Sequence, residues 1–216
     1  MGQLAGRPGS TFRPGSMLPT FLPITVYRPM LVGLDKPLIL QRLRTETQPY
    51  HRALEQNEFN RALAAGNITE AIAARFLAKL YGFLRPYEAR LRQHAFSPAW
   101  QPERRQRAHL IEQDLPAAAH LPECADMPEL RTWPQLLGAL YVLEGSTLGG
   151  QVITRQLAKA GIPTRTYFTG SAEHTGPLWK SFCQLLAAEA TPDNEAEIVQ
   201  SAIQTFQKLH AWIELR

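Results

Sequence analysis

The sequence predicts an all-α fold: one multihelical domain preceded by a short tail of different composition. Three observations carry this. Beyond position 37, apolar residues recur at intervals of three and four, the spacing of one helix face. Pro, Gly and Thr punctuate these runs where helices start and stop. Strand patterning is weak everywhere, and segment 164–170, although extended in character, predicts a loop. A chain of 216 residues, 44% of them hydrophobic, is the size of one domain and can bury a core.

The tail comes first. Residues 1–36 hold Pro8, Pro14, Pro19, Pro23 and Pro29 with Gly2, Gly6, Gly9, Gly15 and Gly33, and show no periodicity. Such a stretch buries too little apolar surface to offset its ordering entropy, so a disordered extension is expected over 1–36, with the helical domain over 37–216. Segment 18–34 is fairly apolar and follows Arg7 and Arg13, but three prolines and Arg28 interrupt it and no small-residue cleavage pattern follows. It reads neither as a signal peptide nor as a membrane span, and Met30 is an alternative start. No later stretch reads as a membrane helix, so a cytoplasmic protein with no membrane partner is expected.

The first helix starts at Pro37, with Leu40, Leu43, Thr47, His51 and Leu54 on one face; Pro49 inside it predicts a kink before His51. A second starts at the N-cap Thr69 and runs through Ile72, Phe76, Leu80, Phe83, Tyr87 and Leu91. A polar helix is expected over 104–115. The next begins at Thr132-Trp133-Pro134 and ends at Gly161, with Pro163 behind it. Two more fit 178–188 and 192–215, the latter with Ala202, Phe206, Leu209 and Ile213 inward.

Most chemistry is excluded by composition and motif. Cys124 and Cys183 sit in no disulfide framework and no Cys/His cluster. The first 36 residues hold four of the 23 basic groups and one of the 19 acidic ones, so the body is close to neutral and no nucleic-acid partner is expected. Phosphate-loop, dinucleotide, zinc-hydrolase and nucleophile-elbow motifs are missing, as is the paired Glu-x-x-His of di-iron bundles.

Two features remain. His51 lies on the inner face of the first helix, where a lone histidine is ordinarily a core residue. Gly145, Gly149 and Gly150 interrupt a well-formed helix within six residues, and each costs about 1 kcal/mol against alanine. A single such glycine admits a neighbouring helix; three suggest a backbone that bends or lies against something bulky that is not a side chain. A histidine helix facing a glycine-kinked helix suits a planar metallated macrocycle. Imidazole then ligates the iron on one side, and bare backbone leaves room for a small ligand such as O₂ on the other.

The segment Leu43-Arg44-Thr45-Glu46-Thr47-Gln48-Pro49-Tyr50-His51 resembles the proximal helix of the heme oxygenases, of the bacterial biliverdin-producing type associated with bacteriophytochromes. Asn57-Glu58-Phe59, Leu80-Tyr81 and Leu110-Ile111-Glu112-Gln113-Asp114-Leu115 continue the likeness, and Tyr141-Val142-Leu143-Glu144-Gly145-Ser146-Thr147-Leu148-Gly149-Gly150-Gln151 resembles the distal helix. The resemblance implies an all-α heme-oxygenase-like domain, with heme as cofactor and substrate sandwiched between the two helices. It implies His51 as the proximal iron ligand and Gly145 and Gly149 as the glycines against heme. Arg44, two turns before His51, and Lys180 are implied cations for the propionates. Tyr141 either bonds a propionate or packs; Thr47 and Phe206 either line the pocket or belong to the core.

The implied reaction converts heme, with O₂ and electrons from a ferredoxin, flavodoxin or reductase, to biliverdin, CO and Fe²⁺, with a bacteriophytochrome as a receiver of the product. One position departs from the family: Ser146 stands where many members carry an aspartate that orders distal water. A hydroxyl is the weaker acceptor, so proton delivery would run through Ser146 and water or through another carboxylate such as Asp114. The alternatives are a non-catalytic heme-binding or heme-sensing protein on the same scaffold, or a thiaminase-like hydrolase, which would need a nucleophilic cysteine.

Overall fold

In the computed structural model, residues 37–170 and 172–215 are described; the tail over 1–36, with its expected disorder, lies outside them. Among the described residues nine α-helices form and there is no strand. Helix α1 (Leu38–Leu54) carries Pro49 within it, so the ring is accommodated without ending the helix before His51. Helix α2 (Glu58–Ala64) is a short turn that the periodicity did not predict, capped by the Asn57 side chain on the Asn60 N–H at 2.9 Å. Helix α3 (Glu70–Leu91) begins at the predicted cap Thr69.

The expected polar helix over 104–115 divides. A 3₁₀ turn at Pro102–Arg105 precedes the short α4 (Ala108–Asp114), because Arg105 is drawn inward and buried. Helix α5 (Trp133–Gly145) has a full capping box, with the Thr132 hydroxyl accepting from the Gln135 N–H and the Gln135 side chain returning to the Thr132 N–H. The expected single helix from 133 to 161 is likewise interrupted. Ser146–Gly149 is 3₁₀, and α6 (Gly150–Lys159) resumes after it. The apolar run Trp133–Lys159 is long and apolar enough on composition to cross a membrane, contrary to the sequence reading. Half of it is buried in the protein, as befits a core helix.

Segment 164–170, expected as a loop, holds the one-turn helix α7 (Thr166–Thr169). Both carboxylate oxygens of Asp114 accept from the Thr166 and Tyr167 N–H groups at 2.9 Å and so cap it. Helices α8 (Thr175–Glu189) and α9 (Glu195–Glu214) complete the chain, close to their predicted bounds.

Helix α9 is the common wall, since both α1 and α5 pack along it. Its contact with α5 is unusually close. A Cβ on Gly138 would overlap the Ile198 carbonyl oxygen and press on Ser201 Cβ at 2.7 Å. Ser201 Oγ also donates to Gln135 O at 2.6 Å, tying the two helices together across the seam. Leu43, Leu77, Leu136, Leu140, Phe182 and Ala202 are fully buried around this crossing. Gly138→Ala should therefore destabilise the protein by about 1–3 kcal/mol despite alanine's better helix propensity, because backbone must move to admit the methyl. Denaturant unfolding monitored by helical circular dichroism measures it.

Candidate functional site

The proximal side is set by α1. Thr47 and His51 are one turn apart on the same face; Thr47 is buried, and its hydroxyl donates to Leu43 O at 2.6 Å. The His51 side chain is 55% exposed, so it is not the core histidine of the bland reading. Its ring meets Phe206 of α9 edge-on, with centroids 5.6 Å apart. Its Nδ1 lies 3.6 Å from Glu55 Oε1, one turn on. That separation is wider than a hydrogen bond and places a carboxylate on the Nδ1 side of the ring. Sequence reasoning missed Glu55, although its spacing of four from His51 was there to be read.

Tyr141 of α5 bridges to the proximal helix. Burial pushes its phenol up to about 12, with Cys183 adding to the shift and Thr47 and Arg44 opposing it. Arg44, Thr47 and Tyr141 therefore share one neighbourhood, and one turn from it stand His51 on α1 and Gly145 on α5. Tyr141 also packs on Trp179 of α8 at 5.7 Å.

The glycines separate into two kinds. At Gly150 a Cβ would overlap the Phe168 carbonyl oxygen, so this glycine serves helix packing, and the sequence reading that grouped it with the other two is corrected. At Gly149 a Cβ meets nothing within 4 Å, and at Gly145 it meets only the Trp179 ring at 3.6 Å, an ordinary contact. Both have ordinary helical φ and ψ, so neither turn geometry nor protein packing requires glycine there.

Ser146, between them, is exposed, and its hydroxyl donates to Leu143 O at 2.7 Å. Thr147 does the same to Glu144 O at 2.6 Å. Asp114, the alternative carboxylate, is committed to capping α7. Arg44 and Lys180 are exposed and pair with no carboxylate among the described residues, whereas Arg42 nearby is held by Glu46 and Glu195 at 3.0 and 3.2 Å. Cys183 is half-buried and its thiol is pushed up to about 12 by burial, which removes the thiolate that a hydrolase nucleophile needs. No cluster of three or more His, Cys, Asp or Glu able to hold a bare metal ion exists among the described residues. A surface hollow of about 300 Å³ beside Phe96, Pro102 and Arg104 contains none of the site residues.

An exposed imidazole, helix glycines that packing does not require and exposed cations stand on an all-α scaffold, and the scaffold has known relatives. The heme oxygenase family profile matches residues 38–215, and the chain belongs to that family. The fold is similar to heme oxygenase from Leptospira interrogans (TM-score 0.66, 18% identity, covering 81% of this chain and 98% of that one). It is also similar to heme oxygenase-1 of the cyanobacterium Synechocystis in complex with heme (0.65, 16%, 81% and 90%). A third likeness is to the NO- and CO-bound heme oxygenase of Neisseria meningitidis (0.64, 21%, 82% and 93%). No curated protein sequence matches the chain.

Two outcomes follow. Gly149→Ala should leave the heme-free protein as stable as the parent or up to about 1 kcal/mol more stable, because its methyl enters open space. The same variant should bind hemin more weakly, by spectral titration. Tyr141 is neutral in the fold beyond the unfolded value of 10, so the stability it contributes is complete below pH 10 and is lost as pH rises toward about 12. Tyr141→Phe should accordingly flatten the decline of unfolding free energy between pH 10 and 12, measured by urea unfolding at each pH.

Proposed function

We propose that the chain degrades heme, using O₂ and external electrons, to biliverdin, CO and Fe²⁺. The observation that carries this is the pair Gly145 and Gly149, helix glycines that no internal contact requires, with Gly149 bare toward open space and Gly145 in ordinary contact with the Trp179 ring. The donor set fits heme: one imidazole for the iron, Arg44 and Lys180 for two propionates, and aromatic walls in Phe206 and Tyr141. Heme, when bound, supplies both the iron that activates O₂ and the porphyrin edge that is oxidised.

The protein's part follows from its own groups. His51 offers an imidazole nitrogen to the iron, with the Glu55 carboxylate on the Nδ1 side of its ring. Arg44 and Lys180 fix rotation within the plane by charge. Gly145 and Gly149 bring the distal backbone close enough to limit access to a small molecule. Ser146 Oγ is the exposed hydroxyl on this face and can hold a water at the distal side through its lone pairs. No flavin or nicotinamide motif is present in the sequence, so electrons come from a separate ferredoxin, flavodoxin or reductase, in keeping with a cytoplasmic setting.

Adding hemin to the purified full chain, then ascorbate or ferredoxin under air, tests the reading. A Soret band that decays into biliverdin absorbance supports it. A band that persists unchanged indicates a heme binder, and no band at all rejects heme as the ligand. His51→Ala should abolish turnover and weaken hemin binding about tenfold or more, yet leave the unfolding midpoint of the heme-free protein unchanged, since the imidazole is 55% exposed. Full activity in that variant would move the ligand elsewhere, to His210 first.

A further inference from the structure

Behind the break in α5 lies a buried polar cluster that the proposed chemistry leaves unused. Tyr87 and Glu88 come from α3, Arg105 and Arg107 from the turn before α4, Glu144 from the last turn of α5, and Tyr167 from α7. Arg105 donates through Nη1 to Glu144 Oε2 at 2.6 Å, and both side chains are almost wholly buried (0% and 7% exposed). Its Nε donates to Trp100 O at 2.5 Å. Glu88 Oε1 accepts the backbone N–H groups of Arg107 and Ala108 at 2.5 and 2.9 Å. The Arg107 guanidinium stacks 5.9 Å from the Tyr167 ring centroid. Three polar atoms here, Tyr87 OH, Arg105 Nη2 and Arg107 Nε, are buried without a partner among the described residues. Burying this much polarity is costly, and the cost falls at the point where the distal helix changes form.

The connection is the Leu143 carbonyl. At the end of α5 the Ser146 N–H goes to Val142 O and leans toward Glu144 O, and the next turn is 3₁₀. Leu143 O is passed over and takes two side-chain donors instead, Ser146 Oγ at 2.7 Å and Arg107 Nη2 at 2.7 Å. Two donors saturate its lone pairs, so it has nothing left to accept the N–H that would continue the α-helix. Ser146 alone could not enforce this, because an exposed hydroxyl readily turns to solvent. The guanidinium cannot: it is anchored by its stack on Tyr167 and by the cluster around it. Desolvation pulls its pKa down, but Tyr167, Glu144, Tyr87 and Glu88 outweigh that and hold it charged.

We propose that Arg107 is a positioning residue for the distal face: by occupying Leu143 O it keeps α5 from continuing past Gly145 and thereby sets the placement of Ser146 and of the bare backbone at Gly149. Its meaning for turnover rests on the heme reading above; its effect on the backbone does not.

The test uses the full chain. In heme-free protein, Arg107→Met should slow amide hydrogen exchange at residues 147–149 severalfold as the helix re-forms. In the CO complex of the heme-loaded protein, the same change should shift the C–O stretching frequency, which reads the field on the distal face. Ser146→Ala should add little to either effect in the Arg107→Met background, because both side chains act on one acceptor. Arg107→Lys, which keeps a charged donor, should return both signals toward the parent. Arg75→Met, removing a surface arginine paired with Glu58, should change neither. Should Arg107→Met fold poorly, the comparison passes to Arg107→Gln, a polar side chain too short to reach Leu143 O, which should slow exchange at 147–149 as Arg107→Met does, and parental exchange in that variant overturns the proposal. Parental exchange and parental C–O frequency in folded Arg107→Met, or strictly additive effects with Ser146→Ala, overturn the proposal. A parent chain without a Soret band defeats the heme reading instead, and the exchange measurements still decide the role of Arg107.

Discussion

The backbone-to-backbone contact of α5 with α9 is the constraint from which the rest of the domain follows. Because Gly138 has no side chain, the axis of α5 lies against Ile198 O, and no sliding or rolling of one helix on the other is available without a clash. A second such contact, Gly150 beneath Phe168 O, fixes the start of α6. The eleven residues between these two fixed points change form at Ser146–Gly149, where the helix tightens to 3₁₀. The open glycines therefore occupy a segment whose ends are clamped. Flexibility there is local, bounded on each side by packing that cannot give.

Polar groups complete what packing begins. The buried Arg105–Glu144 pair lies next to the break and costs desolvation that an apolar pair would not incur, so its contribution is better understood as specifying where the helix ends than as adding stability. Asp114 has a similar part: its carboxylate organises α7, whose Phe168 carbonyl is the surface on which Gly150 rests. Substituting a residue in this region changes a chain of placements more than a single contact.

Much of this was legible in the sequence, and the limits have physical causes. The helices with strong three-and-four spacing and clear caps, α1, α3, α5 and α9, stand where Pro37, Thr69, Thr132 and the periodic apolar residues put them. Of the short elements, α4 was legible as part of a longer polar helix, whereas α2 and α7 did not declare themselves. These two owe their form to local caps or to side chains reaching across the fold, as with Asp114 on α7, and periodicity over one or two turns carries no signal. His51 was legible as a candidate only through its company, since residue type and face alone favour a core role; its exposure is a tertiary fact. The glycines show the same limit more sharply. Sequence counts three in six residues, yet cannot tell Gly150, excluded from bearing a side chain by Phe168, from Gly149, which excludes nothing within the protein. Arg107 escaped notice because its contribution is a hydrogen bond to a carbonyl 36 residues away.

An enzyme that consumes the very group it holds must spend part of every cycle empty, and cannot borrow structural strength from that group as globins and cytochromes do. The seam between α1, α9 and α5 meets this requirement: Leu43, Leu140 and Leu209 are buried in it, and Phe206, buried beside them, also carries the edge of the His51 ring. The working surface is thus a lining added to a finished wall. With that seam closed on its own side chains, arrival and loss of the substrate proposed above would leave the scaffold as it stands.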